Sequence, residues 1–210
     1  RRPDTKGGTL LKRIFPALIF IFVLYLGNSA LASTQTSYIR GWLICGPFEG
    51  SDLETECFKN EAQVMPKEGE VSGGKEWKMY SSSEDKVDFE DKELFGAYDF
   101  CDGYAYIEVK SPQRKEVRLI LGSDDGIKVW LNGRNVLTND VPRGFSVDED
   151  KLNVILDPGW NRLLLKINDI GGQWCFSARF SDYQGLPVSD LEYRPKALKV
   201  VSVPVKEATA

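Results

Sequence analysis

Apolar and polar residues alternate along most of the chain in short runs whose period is two. Tyr104–Lys110 (YAYIEVK) alternates before a Ser111-Pro112 turn. Val117–Leu121 (VRLIL) sets Val117, Leu119 and Leu121 on one face, and Ile127–Leu131 (IKVWL) does the same with Ile127, Val129 and Leu131. Successive side chains of a strand point to opposite faces, so such runs predict half-buried β-strands. Asn132-Gly133 separates Ile127–Leu131 from Arg134–Thr138. Asn-Gly between two alternating runs predicts a hairpin, because a type I′ turn needs positive φ at both central positions.

Further strands are predicted over Tyr38–Ile44, stopped by Gly46 and Pro47, and over Trp77–Tyr80, Leu152–Leu156, Arg162–Ile167 and Trp174–Phe180. Gly122–Gly126 reads as a tight loop; Asp157-Pro158-Gly159 and Gly171-Gly172 are turns. Residues 49–74 are polar with scattered Gly and Pro and read as a long surface excursion. Asp91–Gly96 reads as one helical turn, with Asp91 as N-cap and Gly96 as terminator. Eight or nine short strands with closely spaced turn signals predict an all-β fold, a two-sheet jelly-roll-like β-sandwich that leaves few strand edges open. The domain is expected over residues 38–188, with 189–210 (prolines at 195 and 204) as a tail or linker.

The start of the chain differs. Five basic residues and one acidic residue lie within residues 1–13, an apolar run follows from Ile14 to Leu26, and Ala30-Leu31-Ala32 precedes Ser33. A basic region, a short apolar region and an A-x-A site predict a secretory signal peptide over residues 1–32. The apolar run falls short of the roughly 20 residues that span a bilayer. The alternative is an uncleaved anchor, through which alone the chain would meet a membrane. Either way the domain is expected outside the cytoplasm: periplasmic, cell-surface or secreted.

Without residues 1–32, 22 of the 27 basic and 30 of the 31 acidic residues remain, a formal charge of −8. That balance argues against nucleic acid, whose phosphates call for clustered Lys and Arg. No histidine occurs in the 210 residues. Ser-His-Asp and Cys-His nucleophile systems and His-ligated zinc are thereby excluded, and the chain is expected not to be an enzyme. The four cysteines, Cys45, Cys57, Cys101 and Cys175, show no C-x-x-C spacing; in an exported protein they allow two disulfides in any of three connectivities. Small buried thiols inside strands fit Cys45 and Cys175 equally well.

Taken in order, WLICGPF (42–48), VDFEDKELFG (87–96), GYAYIEVKSP (103–112), LGSDDGIKVWLNGRNV (121–136), DPGWNRLLLKI (157–167) and GGQWCFSARFSDYQGLPV (171–188) resemble the galactose-binding-like β-sandwich modules of bacterial exported proteins. S-D-D-G followed by V-W-x-N-G is similar to the protective-antigen-type lectin domain, and V-W-L-N-G to the sugar-binding domain of family-two glycoside hydrolases. The resemblance implies a non-catalytic module that binds carbohydrate or a cell-surface glycan. It further implies that Asp124 and Asp125 hold a Ca²⁺ that coordinates sugar hydroxyls.

The residues themselves leave this open. Adjacent carboxylates repel by roughly 4 kcal/mol at the effective dielectric of a protein surface, and a hard cation relieves that. Capping the loop's own N–H groups in Asx-turns relieves it too. Asn132 belongs to the hairpin turn, and the acidic run Asp148-Glu149-Asp150 is a solvated face or a second ligand source. Sugar rings stack on exposed aromatics. Trp130, out of phase with Val129 and Leu131, is either exposed or packed under the 49–74 excursion; Trp130 and Trp77 are the ligand-platform candidates, whereas Trp42 and Trp174 belong to the core. Arg143 either clamps an acidic sugar or pairs with Asp140 or Asp148, and Arg179 points away from the core. Neighbouring aspartates on one loop cannot flank a glycosidic bond from both sides, so they are not a glycosidase pair. A structural or protein-interaction module, partnered by another exported protein, is the alternative function.

Overall fold

The computed structural model describes residues 37–50 and 52–195. The predicted signal peptide, and the tail beyond Pro195, lie outside the described residues. Two antiparallel sheets face each other. The larger runs in the order β4 (Lys78–Ser81), β1 (Gly41–Glu49), β6 (Cys101–Ser111), β11 (Gly159–Asp169), β8 (Ile127–Leu131), β9 (Arg134–Asn139), with β13 (Glu192–Arg194) beside the end of β6. The smaller runs β10 (Asp150–Leu156), β7 (Lys115–Asp124), β12 (Cys175–Ser181), β5 (Val87–Asp88), and β2 (Val71–Ser72) with β3 (Lys75–Glu76) forms a short ribbon. The all-β sandwich expected from the alternation is the architecture found.

The period-two pattern explains the core. Ile127, Val129 and Leu131 of β8, with Leu163, Leu165 and Ile167 of β11, point into the space between the sheets, where they meet Val117, Leu119 and Leu121 of β7 and Phe176, Ala178 and Phe180 of β12. Each fully buried large apolar side chain contributes about 1.5–3 kcal/mol. At the β8–β9 hairpin, Asn132 and Gly133 have φ of 54° and 78°, the two positive values the Asn-Gly signal requires.

Four local expectations change. The first strand does not stop at Gly46-Pro47: a bulge between Cys45 and Phe48 absorbs the irregularity, and pairing with β6 resumes at Phe48 opposite Asp102. Residues 91–96 form turns rather than a helix, closed by Leu94 and Gly96 N–H on the Asp91 carbonyl, while the Asp91 carboxylate caps Glu93 N–H. The sheet also continues past Val188, because β13 pairs with Glu108–Lys110 of β6.

The fourth change is the largest. The 49–74 segment is not a mere surface excursion. It packs, with Trp77 and Met79, over the outer face of the larger sheet and buries a second cluster of Leu43, Cys45, Phe48, Tyr104, Tyr106, Trp130 and Leu164. Its sequence hides this because its few apolar residues (Leu53, Phe58, Ala62, Val64) are widely spaced. They need only meet a surface that β1, β6, β8 and β11 have already made apolar. The smaller sheet has a covering too. Residues 140–149 approach its outer face so closely that a Cβ at Gly122 would stand 2.3 Å from the Ser146 carbonyl oxygen, which is why glycine occupies that strand position.

Candidate functional site

Asp124, Asp125 and Arg143 come together at one rim of the sandwich. Gly122–Asp124 is strand, paired with Ser177, Phe176 and Cys175, so the expected loop is confined to Asp125 and Gly126. Both aspartates are buried, at 6% and 5% exposure. Asp124 Oδ2 accepts Phe145 N–H at 3.0 Å, Asp125 Oδ1 accepts Arg143 N–H at 2.9 Å, and Asp125 Oδ2 accepts Ile170 N–H at 2.9 Å. Burial raises the Asp124 pKa above the usual carboxylate value, and the Asp125 charge adds to the rise against the Phe145 N–H.

The Arg143 guanidinium completes the cluster. Nη2 donates to Ser123 Oγ at 2.7 Å and to Asp150 Oδ2 at 2.6 Å, Nε to the Asp125 carbonyl at 3.3 Å, and Nη1 pairs with Glu149 at 3.2 Å. Asp148 is taken by Arg179 through two bonds of 2.9 and 2.6 Å. The acidic run 148–150 therefore pairs with two arginines, with Glu149 still exposed, and Arg143 pairs with Glu149 and Asp150 in place of Asp140 or Asp148.

A Ca²⁺ takes six to eight oxygen ligands. Here three of the four oxygens of the aspartate pair accept backbone N–H groups, and the hydroxyl, carbonyl and carboxylate oxygens beside them receive a guanidinium. Among the described residues no group of three or more His, Cys, Asp or Glu side chains is disposed to hold a metal ion. The residues present do not fit a resident Ca²⁺; Arg143 supplies the positive charge of this hollow, and the pair acts as a clasp on the loops at 143–145 and 170.

Trp77 and Trp130, the expected ligand platforms, are buried at 0% and 5% exposure in the cluster behind the larger sheet. Their rings pack under residues 53–64 because alternation turned Trp130 outward from the core and the covering segment then closed over it. Trp160 is the more exposed tryptophan at 38%, but Arg194 stacks 3.9 Å from its ring centroid. The exposed aromatics at the rim are Tyr98 (50%) and Phe100 (63%), on the turn before β6. The Phe100 carbonyl accepts Gly50 N–H at 3.1 Å, and beside the Asp125 loop both carboxylate oxygens of Asp169 are buried without a hydrogen-bond partner among the described residues. No periodicity marks an aromatic in a turn, so the sequence offers no signal for these two.

Behind the larger sheet, Lys166 is fully buried. Its Nζ donates to the carbonyls of Asp52 and Thr55 at 2.7 and 2.6 Å and lies 3.4 Å from Asp102 Oδ2. Tyr104 OH donates to Glu61, and Cys57 Sγ to Asp102 at 3.6 Å. All four cysteines are free thiols; burial pushes Cys45, Cys101 and Cys175 up to about 12 and raises Cys57. Each is therefore protonated at neutral pH. Cys45 and Cys57 share the rear cluster, while Cys101 and Cys175 belong to different sheets.

Burial pushes Asp102 up to about 6, with Lys166 opposing. Burial, reinforced by the charges of Asp125 and Asp99, does the same to Asp169, which also reaches about 6. A carboxyl whose folded pKa lies above its unfolded value holds its proton more tightly when folded. Its stabilising contribution is therefore present below about pH 4 and lost as pH rises through 6. The carboxylates with depressed values, Asp148 and Asp52, titrate below their ordinary 3.8 and do not oppose this above pH 4. The melting temperature is expected to rise between about pH 7.5 and pH 5, and Asp169→Asn to flatten the slope and stabilise at about pH 7.5 by on the order of 1–2 kcal/mol. Thermal unfolding across that range checks it; a melting temperature that falls toward pH 5 contradicts it.

No family model matches the chain, and no curated protein matches it. Solved structures do. An anti-sigma factor domain-containing protein from Clostridium clariflavum aligns over 74% of this chain and 47% of its own at 11% identity, TM-score 0.43. The β-glucuronidase of Faecalibacterium prausnitzii aligns over 64% and 21% at 13% identity, TM-score 0.40. The PA14 domain of the MpAFP antifreeze protein aligns over 40% and 45% at 19% identity, TM-score 0.32. The chain spans less than half the length of each of these structures.

Proposed function

We propose that this protein is an exported, non-catalytic binding module of carbohydrate-binding type that meets its ligand at the loop rim. The observation that carries the reading is the pair Tyr98 and Phe100, exposed on a turn beside loops that Asp124, Asp125 and Arg143 hold in place. Rigid loops presenting aromatic rings bind a sugar's C–H face without an ordering cost. Calcium is not required, because the clasp carries its own cation.

A glycan array, followed by calorimetry on a hit with and without chelator, tests this. Binding unchanged by chelator and weakened about tenfold or more in Tyr98→Ala/Phe100→Ala is the expected result, tenfold being 1.4 kcal/mol. No glycan binding in either condition removes the reading. The second reading, a structural or protein-interaction module, is favoured by Val141 and Val147, exposed at 41% and 55% on the segment that covers the smaller sheet.

A further inference from the structure

β9 and β10 are free edges, one from each sheet, on the same side of the sandwich. They touch where Asn139 Nδ2 donates to Asp150 Oδ1 at 3.1 Å. Along the same pair of edges the sheets enclose an open hollow of about 410 Å³. Val136 and the exposed Ile155 give it an apolar surface, and Arg114, Arg134, Asn153 and Asp157 line it with polar groups. A pocket with an apolar lining and a few convergent polar groups has the makeup of a small-molecule site.

Uncommitted donors distinguish this hollow. Of the eight arginines among the described residues, seven reach a carboxylate, a carbonyl or an aromatic ring. The guanidinium of Arg134, the eighth, has no hydrogen bond, ion pair or ring contact among the described residues, and the Asn153 side-chain amide has none either. The remaining guanidinium, Arg114, meets only Asp157, at 3.7 Å with both side chains 66% exposed, a pair that contributes little and opens easily. A chain with a net charge of −4 thus keeps two weakly engaged guanidiniums around one hollow. Guanidinium is the side chain best shaped to take a carboxylate or sulfate through paired N–H bonds.

We propose that the cleft between β9 and β10 is a second subsite, for an anionic saccharide. The sugar ring lies against Val136 and Ile155, its carboxylate or sulfate is taken by Arg134 with Arg114, and the Asn153 side-chain amide reaches a ring hydroxyl. This rests on the carbohydrate reading and adds the ligand's charge and a place remote from Tyr98 and Phe100.

Calorimetry on the full chain with an oligogalacturonate, its carboxyl-reduced neutral counterpart and a sulfated oligosaccharide tests the subsite. The expected result is binding of an anionic sugar, loss of at least tenfold for the neutral one, and a further tenfold loss in Arg134→Ala with the melting temperature unchanged. Preference for the uronate or the sulfate identifies the source of the anion. Equal binding of the neutral sugar, anionic binding unaltered by Arg134→Ala, or no binding of either anionic sugar each overturns the subsite. The rim reading falls separately, if the glycan array is blank or if a glycan that binds does so equally to Tyr98→Ala/Phe100→Ala.

Discussion

Asp125→Ala is expected to cost about 3 kcal/mol, because hydrogen bonds to a charged acceptor are worth about 1.5–3 kcal/mol each and this side chain accepts two. It joins three parts of the chain: the strand end that carries it, Arg143 N–H at 2.9 Å and Ile170 N–H at 2.9 Å. Both amides lose their acceptor in a site where water does not readily replace it. For a domain of this size the melting temperature falls by roughly 6–12 °C. Thermal unfolding gives the magnitude, and amide exchange at Arg143 and Ile170 gives the location. A drop under about 2 °C would show that the loops are held by the Arg143 guanidinium alone.

Lys166→Ala is expected to cost about 3–5 kcal/mol, the usual penalty for leaving one partner of a buried ion pair behind. It strips two carbonyls, Asp52 and Thr55, and the Asp102 carboxylate of their common donor. Lys166→Met restores the volume and should recover part of the loss. Since burial already holds Asp102 at about 6 with the ammonium present, removing the ammonium raises it further. The loss should therefore be larger at about pH 8, where a buried charge has no counterion, than at about pH 5, where the carboxyl takes a proton. Denaturant unfolding of both variants at the two pH values decides it; equal losses would mean that the ion pair contributes nothing.

The sandwich was legible because strands carry their own signature. Each of β6, β7, β8 and β11 alternates, and Asn132-Gly133 states its turn type in two letters. At the rim, the sequence pointed to Asp124, Asp125 and Arg143 but not to what they do. Whether two carboxylates face a metal or a set of N–H groups depends on where residues 143–145 and 170 arrive, and those are distant in the chain. Trp77 and Trp130 were misplaced for a similar reason. Alternation told which face Trp130 occupies, but only the path of residues 49–74 decides whether that face meets water. Tyr98, Phe100 and Arg134 carry no pattern at all, since an exposed ring in a turn and an unpaired cation on an edge strand are defined by what they fail to touch.

The covering of the larger sheet bears on how such a module meets other molecules. Many sandwich proteins receive their cargo on a broad, bare wall of strands. In this one the wall is already papered on its far side by Trp77, Trp130 and the residues laid across them, so encounters are left to the margins: turns at the end, and the seam where the two layers part.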